Sequence, residues 1–117
     1  MSYQSVFRPG LFAGKTIIVT GGGSGIGRCT AHELAALGAK VALVGRKAEK
    51  VEAVKAEILE DDGTASAHVC DIREEDSVKA TVKAIIAEHG GLNGVVNNAG
   101  GQFPSPLANI NQKGWET

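Results

Sequence analysis

The sequence predicts an α/β fold in which a doubly wound parallel sheet carries helices on both faces. Short apolar runs alternate with longer segments whose apolar residues recur at helical spacing, in the order β-α-β-α-β-α-β. The runs begin near residues 15, 40, 65 and 94, with short loops between elements. Such alternation requires a parallel sheet with right-handed crossovers. The glycine chemistry differs at each turn, which indicates repeated βα units and excludes a solenoid.

The predicted strands and helices follow from local patterns. Residues 15–20 form a continuous apolar run, as expected of a strand buried on both faces of a parallel sheet. Residues 48–60 carry apolar side chains at positions 51, 54 and 58, the spacing of one helix face. The predicted strands span residues 15–20, 40–44, 65–70 and 94–97, and the predicted helices span residues 25–37, 48–60 and 74–89. In the first helix Ile26 is predicted to pack, and Gly38 ends that helix.

Residues 1–14 show no apolar period and contain proline and glycine. We expect an extended N-terminal arm in which Leu11 and Phe12 pack against the first strand. Residues 1–14 contain one arginine and a broken apolar pattern, so we do not expect them to form a signal peptide.

The composition excludes several classes of partner. The chain has 117 residues, is 43% hydrophobic and 21% charged, and has a net charge of −1. A chain of this length forms at most one domain. Without a basic surface, we expect no nucleic-acid partner and no binding to anionic membranes. No apolar run approaches the roughly 18 residues that a membrane span needs.

The cysteines and histidines do not predict a metal site. Cys29 and Cys70 are too far apart for a zinc-type pair, so we expect reduced thiols in a cytoplasmic protein. His32, His68 and His89 share no spacing and no carboxylate partner in the sequence, and each is predicted to lie at the surface or at a helix end.

A glycine-rich turn joins the first predicted strand to the first predicted helix. Gly21, Gly25 and Gly27 follow the apolar run in the strand-turn-helix order of a dinucleotide-binding turn. The start of a helix offers free N–H donors and the positive end of the helix dipole, which attract a phosphate. We therefore predict a pyrophosphate site. The alternative is a glycine turn that serves only close packing between strand and helix.

A P-loop is excluded as the explanation of this turn. Gly22 and Gly27 have the glycine spacing of that motif, but Arg28 and Cys29 occupy the positions of its lysine and its serine or threonine. A cysteine offers no hydroxyl to a magnesium ion.

The end of the second predicted strand favours NADP over NAD. An acid is expected there to accept the ribose 2′-OH of NAD, but the sequence continues Gly45, Arg46, Lys47. A guanidinium can pair with the 2′-phosphate of NADP, which a carboxylate would repel. The alternative is that Arg46 is an ordinary exposed loop residue.

The third and fourth predicted strands also end in polar residues. In an open α/β sheet, ligands lie beyond the carboxyl ends of the strands. Asp71 could bond the adenine amino group, cap the following helix, or do both. The backbone after the fourth strand could line the cofactor, whereas Asn97 or Asn98 could only tie strands together.

These motifs, in this order on βα units, resemble the short-chain dehydrogenase/reductase family from residue 15 onward. The resemblance implies a Rossmann-type fold and hydride transfer between NADP(H) and a carbonyl, alcohol or enoyl substrate. It also implies a set of cofactor contacts that includes the glycine turn. These residues are Gly21, Gly22, Gly23, Ser24, Gly25, Ile26, Gly27, Arg46, Lys47, Asp71, Ile72, Asn98, Ala99 and Gly100.

Residues 97–106 (NNAGGQFPSP) and 113–115 (KGW) resemble a narrower branch of the family, which contains the trans-2-enoyl-CoA and 2,4-dienoyl-CoA reductases and related bacterial dehydrogenases. By that resemblance Arg73, Phe103 and Ser105 lie near an acyl-CoA substrate. The alternative to an acyl-CoA substrate is another alcohol or aldehyde, including a terpenoid one, as in bacterial relatives of this branch.

The catalytic Tyr-xxx-Lys pair of the family is not found in this sequence. The single tyrosine of the sequence is Tyr3, and the residue four positions later is Phe7 where the motif needs a lysine. No catalytic residue is therefore assigned. A sheet that stops after four strands leaves an apolar edge uncovered. We expect residues 15–117 to be the N-terminal part of a single domain, within a longer, homo-oligomeric reductase. The rival hypothesis is a non-catalytic dinucleotide-binding or regulatory module.

Overall fold

The computed structural model describes residues 4–23 and 25–98, and the predicted elements are all present there. Their ends differ from the predicted ones by no more than a residue. The elements are β1 (Thr16–Thr20), α1 (Gly25–Ala36), β2 (Lys40–Gly45), α2 (Ala48–Glu60), β3 (Thr64–Val69), α3 (Glu75–His89) and β4 (Gly94–Val96). Among these helices, none combines the length and the apolar character needed to cross a bilayer.

The four strands form one parallel sheet in the order β3-β2-β1-β4. The chain moves outward from β1 to β3 and then returns to place β4 on the other side of β1. The strand order therefore reverses at β1, where Val19 lies in register with both Leu43 and Val96. Ligands of open α/β sheets bind beyond the carboxyl ends of the strands at such a reversal point.

Both faces of the sheet are covered, as the apolar run of β1 predicts. One face packs on α1 and α2 through a cluster that includes Val19, Leu43, Val51 and Ile58. The opposite face packs on α3, through a second cluster that contains Ile18, Val44 and Ile85. Neighbouring residues of one strand thus enter different cores, which confirms the doubly wound α/β arrangement.

The predicted extended arm is wrong for residues 9–14. Residues 9–14 form turns, and the amide of Lys15 donates to the carbonyl of Phe12 at 2.9 Å. Gly10 permits one of these turns because its φ is +75°. Phe12 packs against the core cluster that includes Val19 of β1, in line with its predicted contact with the first strand, whereas Leu11 is exposed.

A charged cluster joins the outer surfaces of α1 and α2. Glu57 Oε1 lies 2.9 Å from Arg28 Nε and 3.0 Å from His32 Nε2. The hydrogen bonds from Arg28, and then from His32, lower the pKa of Glu57 from 4.5 to about 2. Because the folded state holds this carboxylate ionised, the cluster stabilises the fold above pH 4.5 and loses that contribution as the pH falls towards 2.

Replacing Glu57 with glutamine is expected to lower the free energy of unfolding at pH 7 by about 0.5–1 kcal/mol, a small amount because the pair is exposed to solvent. Urea unfolding followed by circular dichroism across pH 2–7 would measure the difference. It should shrink steadily below pH 4.5, where the unfolded carboxylate takes up its proton. Glu60→Gln removes a second, exposed carboxylate of the same helix and serves as the control. A difference as large at pH 2 as at pH 7 would contradict this account.

Candidate cofactor-binding site

The glycine turn lies at the carboxyl end of β1, where the strand order reverses. Gly21 has a φ of +66° and donates its N–H to the carbonyl of Val44 at 2.8 Å, so the sheet continues one residue beyond β1. The chain then leaves the sheet and α1 begins at Gly25. The N–H of Gly21 is therefore taken by the sheet. The donors available to an anion are those of the rest of the turn and the first turn of α1.

Gly27 lies where α1 passes closest to this turn. A Cβ on Gly27 would lie 2.1 Å from the carbonyl oxygen of Gly21 and 2.7 Å from Nδ2 of Asn98. Only a residue without a side chain allows this approach. The start of α1 is consequently held directly over the end of β1.

Two further glycines of the turn also serve close packing. A Cβ on Gly22 would lie 2.7 Å from Cδ2 of Leu43, and one on Gly23 would lie 2.7 Å from Cβ of Lys50. The packing role that the sequence leaves as an alternative is therefore present. It is compatible with a phosphate site, because it also keeps side chains away from the turn.

Ile26 does not pack as the helical pattern predicts. Its side chain is 76% exposed at the start of α1. The neighbouring residue Gly27, and not Ile26, is the one in the first turn of α1 that faces the end of β1. The structure thus places a large apolar side chain beside the glycine turn.

The end of β4 is tied to the end of β1. Asn98 donates its N–H to Oγ1 of Thr20 at 2.9 Å and its Nδ2 to the carbonyl of Gly21 at 3.4 Å. The Thr20 hydroxyl in turn donates to the carbonyl of Val96 at 3.2 Å. Asn98 therefore ties strands together, one of the two roles left open for it, while Asn97 is exposed. Thr20 therefore positions the end of β4 against the end of β1, a role that the sequence analysis did not assign. The signal in the sequence was a threonine as the last residue of a buried apolar strand.

Asp71 faces Arg73 and does not cap α3. Its Oδ1 accepts from the amide of Arg73 at 3.0 Å and from Arg73 Nε at 3.2 Å, and its Oδ2 accepts from Arg73 Nη2 at 3.2 Å. The N-cap of α3 is Glu74, without a side-chain capping bond. Asp71 lies too far ahead of α3, so its carboxylate reaches only the amide of Arg73. The capping alternative is wrong.

Positive charge collects beyond the ends of β2 and β3. Arg46 and Lys47 are exposed just after β2, and Arg73 is exposed after β3. The hydrogen bonds from Arg73, with a further contribution from the charge of Arg46, hold the pKa of Asp71 below its usual value. Arg46, Lys47 and Arg73 thus lie at the same edge of the sheet as the Asp71 carboxylate, and positive charge at such an edge attracts an anion.

A largely apolar cavity of about 340 Å³ opens beside this edge, between α3 and β4. Its lining includes Ile72 and Asn97 together with the core residue Val44. A planar, mostly apolar group could enter it.

Several predicted site residues lie outside the part of the chain that the structure describes. They are Ser24, Ala99, Gly100, Phe103 and Ser105.

The histidines have partners that the sequence did not reveal. His32 contacts Glu57, and His68 Nε2 lies 3.7 Å from a carboxylate oxygen of Glu88. His68 and His89 each lie 2.8 Å from the hydroxyl of Ser66. Burial lowers the pKa of His68 and favours its neutral form. Within residues 4–23 and 25–98, no group of three or more His, Cys, Asp or Glu side chains is arranged to hold a metal ion.

Residues 15–117 match the family model for short chain dehydrogenase, and the chain belongs to that family. Its fold is of the Rossmann type, and its relatives are oxidoreductases. The structure is similar to the citronellol catabolism dehydrogenase AtuB of Pseudomonas aeruginosa PAO1, with 68% identity and a TM-score of 0.82, over 97% of this chain and 46% of AtuB. The chain is also 49% identical over 99 residues to the 2,5-dichloro-2,5-cyclohexadiene-1,4-diol dehydrogenase of Sphingobium indicum, covering 84% of this chain but 38% of that relative.

Solved relatives occur with either nicotinamide cofactor. A metagenomic short-chain oxidoreductase in complex with NADP is 39% identical, with a TM-score of 0.75, over 90% of this chain and 48% of its own. An NAD⁺-bound xylitol dehydrogenase is 33% identical, with a TM-score of 0.76, over 90% of this chain and 41% of its own. The family therefore binds NAD(P), and these relatives do not decide between the two cofactors.

Proposed function

We propose that this chain supplies the cofactor-binding part of an oxidoreductase that transfers hydride between NADP(H) and a small alcohol or carbonyl substrate. The observation that carries the proposal is the glycine turn at the reversal point of the sheet, which is bonded there to Asn98, with Asp71 after β3 at the same edge of the sheet. Because Gly27 lets α1 approach the end of β1, the N–H donors of the first turn of α1 lie at the glycine turn, as a dinucleotide pyrophosphate would need. When bound, the nicotinamide carries the hydride.

Each part of the dinucleotide has a proposed contact in this chain. Residues 22–27 would hold the pyrophosphate, with Ile26 as an apolar contact. Asp71 and Ile72 would bind the adenine, near the apolar cavity. Residues 98–100 would approach the nicotinamide ribose, positioned by the bonds between Asn98 and β1.

NADP is proposed over NAD because of the charges after β2. Arg46 is exposed there, and among the described residues it has no hydrogen-bonded acid partner of its own. Lys47 adds a second cation beside it. An anionic 2′-phosphate would find complementary charge at this place, whereas a ribose 2′-OH would find no acceptor carboxylate.

Exchanging Arg46 for glutamate is expected to weaken NADPH binding by about 1–2 kcal/mol, the scale of a charge-assisted contact made near the surface. NADH binding should be unchanged or stronger, because the new carboxylate can accept the ribose hydroxyls. Titration followed by NAD(P)H fluorescence measures both affinities.

Lys83→Glu is the matched control for that experiment. It makes the same change of charge on an exposed face of α3 and should leave the ratio of the two affinities unaltered. If Arg46→Glu weakens NADPH and NADH equally, or weakens neither, Arg46 does not select the cofactor.

An alcohol or aldehyde, including a terpenoid one, is the proposed substrate class. The likeness to a dehydrogenase of citronellol catabolism supports it. An acyl-CoA substrate has less support, because Arg73, the described cation assigned to it, is engaged by Asp71. We further propose a cytoplasmic, homo-oligomeric enzyme whose catalytic Tyr-xxx-Lys lies outside this chain. That residues 15–117 are the N-terminal part of one domain stays a prediction.

Turnover assays on the full-length gene product, which under the proposal carries the Tyr-xxx-Lys pair, separate the enzyme from the non-catalytic module. Terpenoid alcohols with NADP⁺, and enoyl-CoA with NADPH, would be compared by the absorbance of NADPH. Oxidation of an alcohol supports the proposal. Tight NADPH binding without turnover of any alcohol, aldehyde or enoyl-CoA would support a dinucleotide-binding module instead.

A further inference from the structure

We propose that Arg73 is a positioning residue that holds the Asp71 carboxylate in place to accept a hydrogen bond from the adenine amino group, and that it does not bind substrate. This inference rests on the proposed function, because it requires a dinucleotide whose adenine lies beside Asp71. It assigns a cofactor-selecting role to a residue that the family resemblance would place near an acyl-CoA.

The geometry is that of a fork. Two nitrogens of the Arg73 side chain approach different oxygens of Asp71, Nε at 3.2 Å from Oδ1 and Nη2 at 3.2 Å from Oδ2. The amide of Arg73 adds a third bond to Oδ1 at 3.0 Å. A planar guanidinium bound to both oxygens fixes the plane of the carboxylate, which a lysine ammonium would not do.

These bonds leave Asp71 with one well-defined acceptor direction. A carboxylate oxygen has two lone pairs. Oδ1 uses both, on the amide and on Nε, while Oδ2 uses one on Nη2. The Asp71 side chain is 32% exposed, so the remaining lone pair of Oδ2 can be reached by a ligand. The exocyclic amino group of adenine is a donor that suits it.

A purely structural role explains the pair less well. Arg73 is 68% exposed, and exposed ion pairs contribute little to stability. The start of α3 does not depend on the pair, because Glu74 occupies the N-cap without a side-chain bond. Released from Arg73, the Asp71 carboxylate could turn towards the charge of Arg46, which already acts on it. Arg73 therefore also leaves Arg46 available for a phosphate.

The test compares NADPH with its analogue in which hypoxanthine replaces adenine. Hypoxanthine presents a carbonyl oxygen where adenine has its amino group, so an oriented carboxylate should reject it. We expect the unaltered protein to bind NADPH about tenfold more tightly than the analogue, the ratio that corresponds to one good hydrogen bond. Arg73→Gln should reduce the ratio to about threefold or less, and Arg73→Lys should give an intermediate value.

Asp71→Asn is the companion variant and should abolish the preference, because the amide can donate to hypoxanthine. The thermal midpoint of Arg73→Gln should remain close to that of the unaltered protein, which separates positioning from folding. If that variant does not fold, Arg73→Lys decides the question alone.

The outcomes distinguish the inference from the proposed function. Discrimination in Arg73→Gln that equals that of the unaltered protein overturns the inference while the dinucleotide site stands. A raised KM for an acyl-CoA with unaltered discrimination would make Arg73 a substrate residue. Failure of every nicotinamide dinucleotide to bind would overturn the proposed function and the inference together.

Discussion

Gly27→Ala is expected to lower the free energy of unfolding by about 3 kcal/mol and to abolish dinucleotide binding. The added methyl group would lie 2.1 Å from the carbonyl oxygen of Gly21, a backbone atom that cannot rotate away. It would also lie 2.7 Å from Nδ2 of Asn98 and press on the bond to β4. The helix must move away from the turn, and the N–H donors of its first turn move with it. Urea unfolding and NADPH fluorescence measure the two effects.

Gly91→Ala is the matched control for this substitution. A Cβ on Gly91 would meet nothing within 4 Å, and its φ is not in the left-handed region. The same chemical change should therefore be close to neutral there. A Gly27→Ala protein as stable as Gly91→Ala, with NADPH affinity intact, would show that the close approach of α1 is not required.

Thr20→Val is expected to lower the free energy of unfolding by about 2 kcal/mol. Valine has nearly the shape of threonine but lacks the hydroxyl, which accepts from the amide of Asn98 and donates to the carbonyl of Val96. Thr20 is only 7% exposed, so water cannot easily replace these bonds. Each unsatisfied polar group costs about 1–3 kcal/mol when buried. The two hydrogen bonds of the Thr20 hydroxyl are only partly buried, so we expect a cost near the lower end for each of them. Denaturant unfolding, with hydrogen exchange at the amide of Asn98, would report the change.

Thr20→Ser keeps the hydroxyl and removes only a methyl group. In Thr20→Ser the amide of Asn98 should remain protected from hydrogen exchange, whereas in Thr20→Val it should lose that protection. The serine variant should also bind NADPH more tightly than the valine variant. Equal stability of the valine variant and the unaltered protein would mean that β4 is held by its ladder to β1 alone.

Most of the fold could be predicted because its causes are local. The strands of this sheet are short apolar runs, and the helices show apolar spacing and stop within three residues of a glycine, so type and approximate bounds follow from the pattern. Residues 9–14 of the N-terminal arm were predicted wrongly because they show no apolar period. Their turns depend on the positive φ of Gly10 and on the contact of Phe12 with the core, and neither leaves a pattern in the sequence.

The candidate site divides in the same way. The glycine turn, Arg46 and Asp71 could be placed from the sequence because each follows a strand, and parallel strands end at the same edge. The partner of Asp71 could not be predicted, since adenine binding and helix capping were both compatible with its position. The structure adds a third contact of Asp71, the paired hydrogen bonds from the side chain of Arg73. This contact depends on how the loop after β3 folds.

The sequence by itself determined the order of the βα units, the glycine turn after the first strand, and the absence of an acidic residue after the second strand. Those features depend on neighbours in the chain. Only the tertiary structure decided that Thr20 and Asn98 join β1 to β4 beneath that turn, although they lie 78 positions apart. It likewise decided that a glycine is required at position 27, because the carbonyl of Gly21 and the side chain of Asn98, which follows β4, lie against it. The physical reason is that hydrogen bonds and close contacts between distant segments exist only after the crossovers have brought the strand ends together.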